Sequence, residues 1–165
     1  MLYLLDANVL IDANRDYYPI DRIPEFWDWL LHYGNSGEVA APTEVWEEIR
    51  DGDDQLAVWA NSPEFRDNLL FDEDADPALV ARVVEHGYAP DLTDDEVEAL
   101  GRDPFLISYG LVDRANRCVV TTERSKPNRI RQNRHVPDVC VYFGIFVRNT
   151  FEFGRELNFR TNWRG

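Results

Sequence analysis

The apolar positions of the chain fall into short blocks that alternate between continuous runs and helical spacing. Leu2-Tyr3-Leu4-Leu5 is an unbroken run stopped by Asp6, the pattern of a strand buried on both faces. Asn8-Val9-Leu10-Ile11 then opens a helix or turn. Pro24 starts a helix carrying Phe26, Trp27, Trp29, Leu30 and Leu31 that stops before Gly34. Val39–Ala41 predicts a second short strand. Pro42 opens a helix through Val45, Trp46, Glu48 and Ile49 that ends near Gly52. Residues 54–70 predict two helical stretches divided at Pro63. Pro77–Gly87 reads as one helix with Leu79, Val80, Val83 and Val84 as its stripe. Thr93 and Glu96 have capping-box spacing ahead of Val97 and Leu100, and Asp103-Pro104 starts a strongly apolar helix. Cys118–Thr122 predicts a buried strand ending at Glu123, Pro137–Tyr142 a short helix, and Ile145–Val147 a last strand. The order strand, helices, strand, helices, strand predicts the α/β class: one domain over residues 1–165 with a short parallel sheet flanked by helices. Ligand sites in such sheets lie beyond the carboxyl ends of the strands, where the strand order reverses.

Composition narrows the class. With 165 residues, 44% hydrophobic and 13% aromatic, the chain carries too much apolar mass to be disordered. No run of about 18 uncharged apolar residues predicts a membrane span. Asp6 interrupts the greasy start and no basic segment precedes it, so it does not read as a signal peptide. Cys118 and Cys140 are too few for a disulfide framework, and a reducing, cytoplasmic setting is expected. Trp27, Trp29 and Trp59 read as core or interface residues, and His32, His86 and His135 show no ligand spacing.

The net charge of −14 hides a segregation. Residues 1–113 hold 27 acids against 6 Arg, whereas residues 114–135 hold seven basic residues against Glu123 alone. Within that stretch Arg124, Lys126, Arg129, Arg131 and Arg134 form a strip suited to phosphates. A solvated loop that offsets the acidic bulk is the alternative. Asp138 lies near this strip and outside the candidate site.

Four acids are placed to meet. Asp6 and Glu123 each end a predicted strand, and Glu48 and Asp103 each sit early in a helix that follows a loop. Two carboxylates about 5 Å apart repel by ~3 kcal/mol at an effective dielectric of 20. Such a cluster persists with a cation or with raised pKa values. Oxygen-only donors favour Mg²⁺ or Mn²⁺ over Zn²⁺. Each acid also has a structural alternative: a turn or N-cap for Asp6, a solvated helix face for Glu48, an N-cap before Pro for Asp103, and pairing with Arg124 or Arg129 for Glu123.

The same four positions carry a resemblance. Leu4-Leu5-Asp6-Ala7-Asn8-Val9-Leu10 resembles the opening strand of PIN-domain ribonucleases. Val45-Trp46-Glu47-Glu48-Ile49 is similar to the family's second motif, in a register that selects Glu48. Asp103-Pro104-Phe105-Leu106 resembles the third, and Val119-Val120-Thr121-Thr122-Glu123 the fourth. The family usually carries Asp where this chain has Glu123, so a water-mediated contact stands beside direct ligation. Pro137-Asp138-Val139-Cys140 with Gly144-Ile145 resembles a PIN-like, VapC-type toxin subfamily. The resemblance implies a Mg²⁺- or Mn²⁺-dependent endoribonuclease, the toxin of a type II toxin–antitoxin pair. It implies a homodimer silenced by an antitoxin protein, with RNA as substrate. Asp6, Glu48, Asp103 and Glu123 would hold the ion, Asn8 would orient Asp6 through its amide, and Thr121 would support the shell through its hydroxyl. Two rivals differ in class. A haloacid-dehalogenase-like phosphatase needs an Asp-x-Asp that Asp6-Ala7-Asn8 lacks. A catalytically silent nucleic-acid- or regulator-binding protein of PIN-like fold would keep the acids without cleavage.

Overall fold

The computed structural model describes all residues 1–165 as one α/β domain. Four parallel strands, β1 (Leu2–Leu5), β2 (Val39–Ala40), β3 (Arg117–Val120) and β4 (Phe146–Arg148), form one sheet in the order β2-β1-β3-β4. Leu4 of β1 pairs with Ala40 on one side and Val119 on the other, and Val119 pairs with Val147. Strand side chains alternate between two apolar layers, as a doubly covered parallel sheet requires. Tyr3, Leu5, Val39, Cys118 and Val120 face one layer, and Leu4, Ala40 and Val119 the other.

The first layer is aromatic. Helices α1 (Ala7–Asp12), α2 (Pro24–Asn35), α3 (Thr43–Ile49), α4 (Gln55–Ala60) and α5 (Pro63–Asn68) cover that face, with Phe26, Trp27, Trp29 and Phe65 buried beneath them. Trp27 and Trp29 are therefore core residues, as expected. The break at Pro63 follows from its missing N–H, with the Ser62 side chain capping the new helix at Phe65 N. The second layer is mainly aliphatic and comes from Val83 and Tyr88 just after α6 (Pro77–Arg82) and from α7 (Asp94–Leu100), α8 (Asp103–Val112) and α9 (Val136–Phe143). Thr93 and Glu96 form the expected capping box. A last helix, α10 (Thr150–Glu156), returns to the aromatic layer with Phe153, and the sequence pattern did not predict it. No helix is long and apolar enough to cross a membrane.

Two departures from the sequence pattern shape the site. The helix expected over 77–87 widens after Arg82 into a π-helical turn, Val83–Tyr88. A Cβ on Gly87 would meet Val139 at 2.7 Å and Phe143 at 2.8 Å, so only glycine lets this turn sit against α9. The third strand ends at Val120, two residues earlier than expected, which frees Thr121–Glu123 to turn across the sheet rim.

Candidate active site

The strand order reverses between β1 and β3, and the carboxyl ends of these two strands stand side by side, Leu5 opposite Val120. That reversal opens a crevice at the rim. Asp6 follows β1 directly and is 7% exposed. It occupies the N-cap position of α1, yet its carboxylate makes no capping bond. It accepts instead a 2.7 Å hydrogen bond from the Thr121 hydroxyl across the crevice. Thr121 Oγ1 in turn accepts the Glu123 N–H at 3.2 Å. One hydroxyl therefore fixes both the first acid and the turn that carries the last.

Asp103 opens α8 in front of Pro104 and is half-buried. It makes no cap, side-chain hydrogen bond or ion pair, so the N-cap alternative does not account for it. On α3 the three acids have separate fates. Glu44 accepts from the Tyr109 hydroxyl at 3.1 Å, Glu47 pairs with Arg102, and Glu48 stays exposed without a partner. Glu123 does not pair with Arg124 or Arg129: its Oε2 accepts the Val136 N–H at 2.8 Å, tying the turn to the start of α9.

The electrostatics show which acids share a field. Burial pushes Asp103 up to about 8, and the charges of Asp6, Glu123 and Glu48 push in the same direction. Burial likewise raises Asp6 to about 6, assisted by Glu123 and Glu48 and opposed by the Thr121 hydroxyl and the Asn8 main chain. The charges of Glu48 and Glu123 thus both reach Asp6 and Asp103. No group of three or more His, Cys, Asp or Glu side chains is gathered closely enough, as the side chains stand, to hold a metal ion. What the rim offers is a half-open set of oxygen donors, two of them poorly solvated, that a cation or a proton would stabilise.

Three supporting residues need correction. The Asn8 side chain is exposed and does not orient Asp6; only its main chain acts on that carboxylate. Arg131 is not free for RNA. Its guanidinium is forked onto Glu96 at 2.9 and 3.0 Å and reaches Asp91 at 2.8 Å. Arg134 is not free either, because it donates to the Gly87 carbonyl and lies over the Tyr142 ring. These two arginines act as staples because the acidic bulk and the unpaired carbonyl of the π-helical turn lie beside them. Arg124, Lys126 and Arg129 remain exposed without carboxylate partners. Asp138 holds their loop by accepting the Lys126 N–H at 2.8 Å and the Ser125 hydroxyl.

Sequence reasoning missed two groups. The Tyr88 hydroxyl is buried without a hydrogen-bond partner, close enough to Asp103 and Glu123 that both charges disfavour its ionisation. His135 Nδ1 is also unpartnered and lies 3.8 Å from Glu123. Tyr88 ends the π-helical turn, a feature that recurs at functional sites and leaves no mark in the apolar pattern.

A family model described as a domain of unknown function, DUF4411, matches residues 3–161. The chain belongs to this family. No curated protein and no solved structure matches the chain. The DUF4411 match covers the sheet from Tyr3 onward and all four rim acids.

Proposed function

We propose that this DUF4411 protein is a Mg²⁺- or Mn²⁺-dependent endoribonuclease of PIN-like fold that hydrolyses RNA phosphodiesters. Asp6 and Asp103 carry this reading. Each stands at a helix start without a cationic partner, and burial together with the charge of neighbouring acids raises both pKa values. A fold tolerates uncompensated like charges where function uses them. The residues fit a hard divalent ion: the donors are all oxygen, two are poorly solvated, and no cationic side chain is bonded to Asp6, Glu48 or Asp103.

Asp6, Asp103 and Glu48 would hold the ion, with Glu123 completing the set directly or through water. The ion would supply positive charge against a phosphate and favour the ionisation of water. Thr121 keeps the Asp6 oxygens aimed across the crevice, and the Glu123 bond to Val136 keeps the 121–123 turn closed over the rim. Arg124, Lys126 and Arg129 draw the RNA backbone toward a molecule whose net charge of −14 would otherwise repel it. In the VapC-type reading the protein is the toxin of a type II pair, acts as a homodimer in the cytoplasm, and is silenced by an antitoxin over the acidic crevice.

RNA cleavage with and without Mg²⁺ or Mn²⁺, by wild type and Asp6→Asn, tests the proposal. Metal-dependent cleavage lost in the variant supports it. RNA binding without cleavage under any metal points to the silent binding protein instead.

A further inference from the structure

A second concavity adjoins the acidic rim. It is a cleft of about 600 Å³, large enough for a nucleoside-sized group, and Thr121 and Glu123 belong to both it and the rim. Two features of its walls stand open to solvent. Tyr17 and Phe151 expose 45% and 46% of their surface, and their rings meet edge to face at 5.1 Å. Arg124 is exposed with no carboxylate partner, whereas the other cation of the cleft, Arg148, is bound to Glu156.

We propose that this cleft seats an unpaired nucleotide of single-stranded RNA beside the phosphate cut at the rim; the placement beside the cut rests on the nuclease reading. The base stacks on the Tyr17–Phe151 pair, and Arg124 takes a neighbouring phosphate. A wholly apolar occupant fits poorly, because only three of the thirteen lining residues are hydrophobic. A duplex does not fit, because its bases are already stacked and cannot reach the ring faces.

The test is fluorescence anisotropy of a labelled single-stranded RNA octamer with the full chain in EDTA, where cleavage is stopped, together with the same RNA as a duplex. Replacing both rings (Tyr17→Ala with Phe151→Ala) should weaken single-strand binding about tenfold or more and leave duplex binding unchanged. Tyr17→Phe, which keeps the ring, should not weaken it. Should the double variant melt early, Phe151→Leu, which keeps apolar bulk and removes the ring, gives the deciding affinity. Unchanged single-strand affinity in these variants, or equal losses for duplex and single strand, would overturn the proposal. Wild type that cleaves with Mn²⁺ while the ring variants bind normally sinks the cleft and leaves the nuclease. Wild type that binds through the rings and never cleaves keeps the cleft and sinks the nuclease. A chain that does neither sinks both.

Discussion

Several acids away from the crevice are bound by arginine, and none of the four acids at the crevice is. Glu73 accepts Arg117 at 2.7 Å, Glu96 is forked by Arg131, and Glu156 is bound by Arg148 and by the Tyr3 hydroxyl. Asp6, Glu48 and Asp103 have no cation at all, although the chain owns 17 Lys and Arg residues. The result appears in the titration behaviour: Arg131 holds Glu96 below its usual range, and Arg148 does the same for Glu156. Asp6 and Asp103 move the opposite way, to about 6 and about 8. The overall acidity therefore does not explain the rim. No arginine is bonded at the rim, which is left with a local charge excess that a cation or a proton relieves.

Substitution at the rim should break this contrast most sharply. Asp6→Asn and Asp103→Asn should each lower RNA cleavage by more than about a hundredfold, beyond the usual loss on removing a ligand's supporting residue. In calorimetry without metal, both should melt at the same temperature as wild type or higher, because repulsion is relieved. Glu73→Gln should do the reverse, lowering the melting temperature through its half-buried Arg117 partner and sparing cleavage. A large loss of stability in both rim variants would mark Asp6 and Asp103 as structural.

Thr121→Val should come next, with cleavage reduced roughly 10–100-fold because the Asp6 oxygens lose their anchor. Titration of apparent Mn²⁺ affinity would place the loss in ion binding.

The pH dependence of stability should follow from the raised pKa values. Both carboxyls have an ordinary value of 3.8 when unfolded and about 6 and about 8 when folded. Between these limits the folded chain binds more protons than the unfolded chain, so metal-free stability falls as pH rises from about 4 toward about 8. Urea midpoints should therefore be lower at pH 8 than at pH 5, flatten in Asp103→Asn, and recover at pH 8 with saturating Mg²⁺. Midpoints that rise over this window would show that the rim acids are not the dominant titrating groups.

The smallest effects divide the basic strip. Arg124→Ala and Arg129→Ala should each reduce the salt slope of RNA binding by about 0.7. Arg131→Ala and Arg134→Ala should leave that slope intact and lower the melting temperature, because their guanidinium groups hold Asp91, Glu96 and the Gly87 carbonyl.

Much of this was legible in local patterns. Leu2–Leu5 reads as a buried strand because its neighbours are apolar in an unbroken run, and Pro63, Pro104 and the Thr93–Glu96 pair mark helix starts through chemistry confined to a few residues. Asp6 and Glu123 were legible because each comes after a strand end, which puts it at the switch point once the strands align, whereas Glu48 lies inside α3 and Asp103 opens α8. What escaped depends on contacts distant in sequence. Arg131 lies 35 residues from Glu96, and nothing in a basic run tells which guanidinium is already bound. The π-helical turn that brings Tyr88 to the site keeps an ordinary helical stripe, and its distinguishing feature is the contact of Gly87 with Val139 and Phe143. Helix α10 begins with an Asn149–Glu152 capping box that is clear once seen, but the seven-residue helix behind it has too little periodicity to stand out.

A crystal of the protein soaked in Mn²⁺, with anomalous diffraction recorded at the manganese edge, tests the rim most directly. An anomalous peak bounded by Asp6 and Asp103, with Glu48 and Glu123 turned toward it, is the predicted result. An ordered, Mn²⁺-soaked crystal with no peak there, from protein that still cuts RNA, would contradict the assignment of these four acids to a divalent cation.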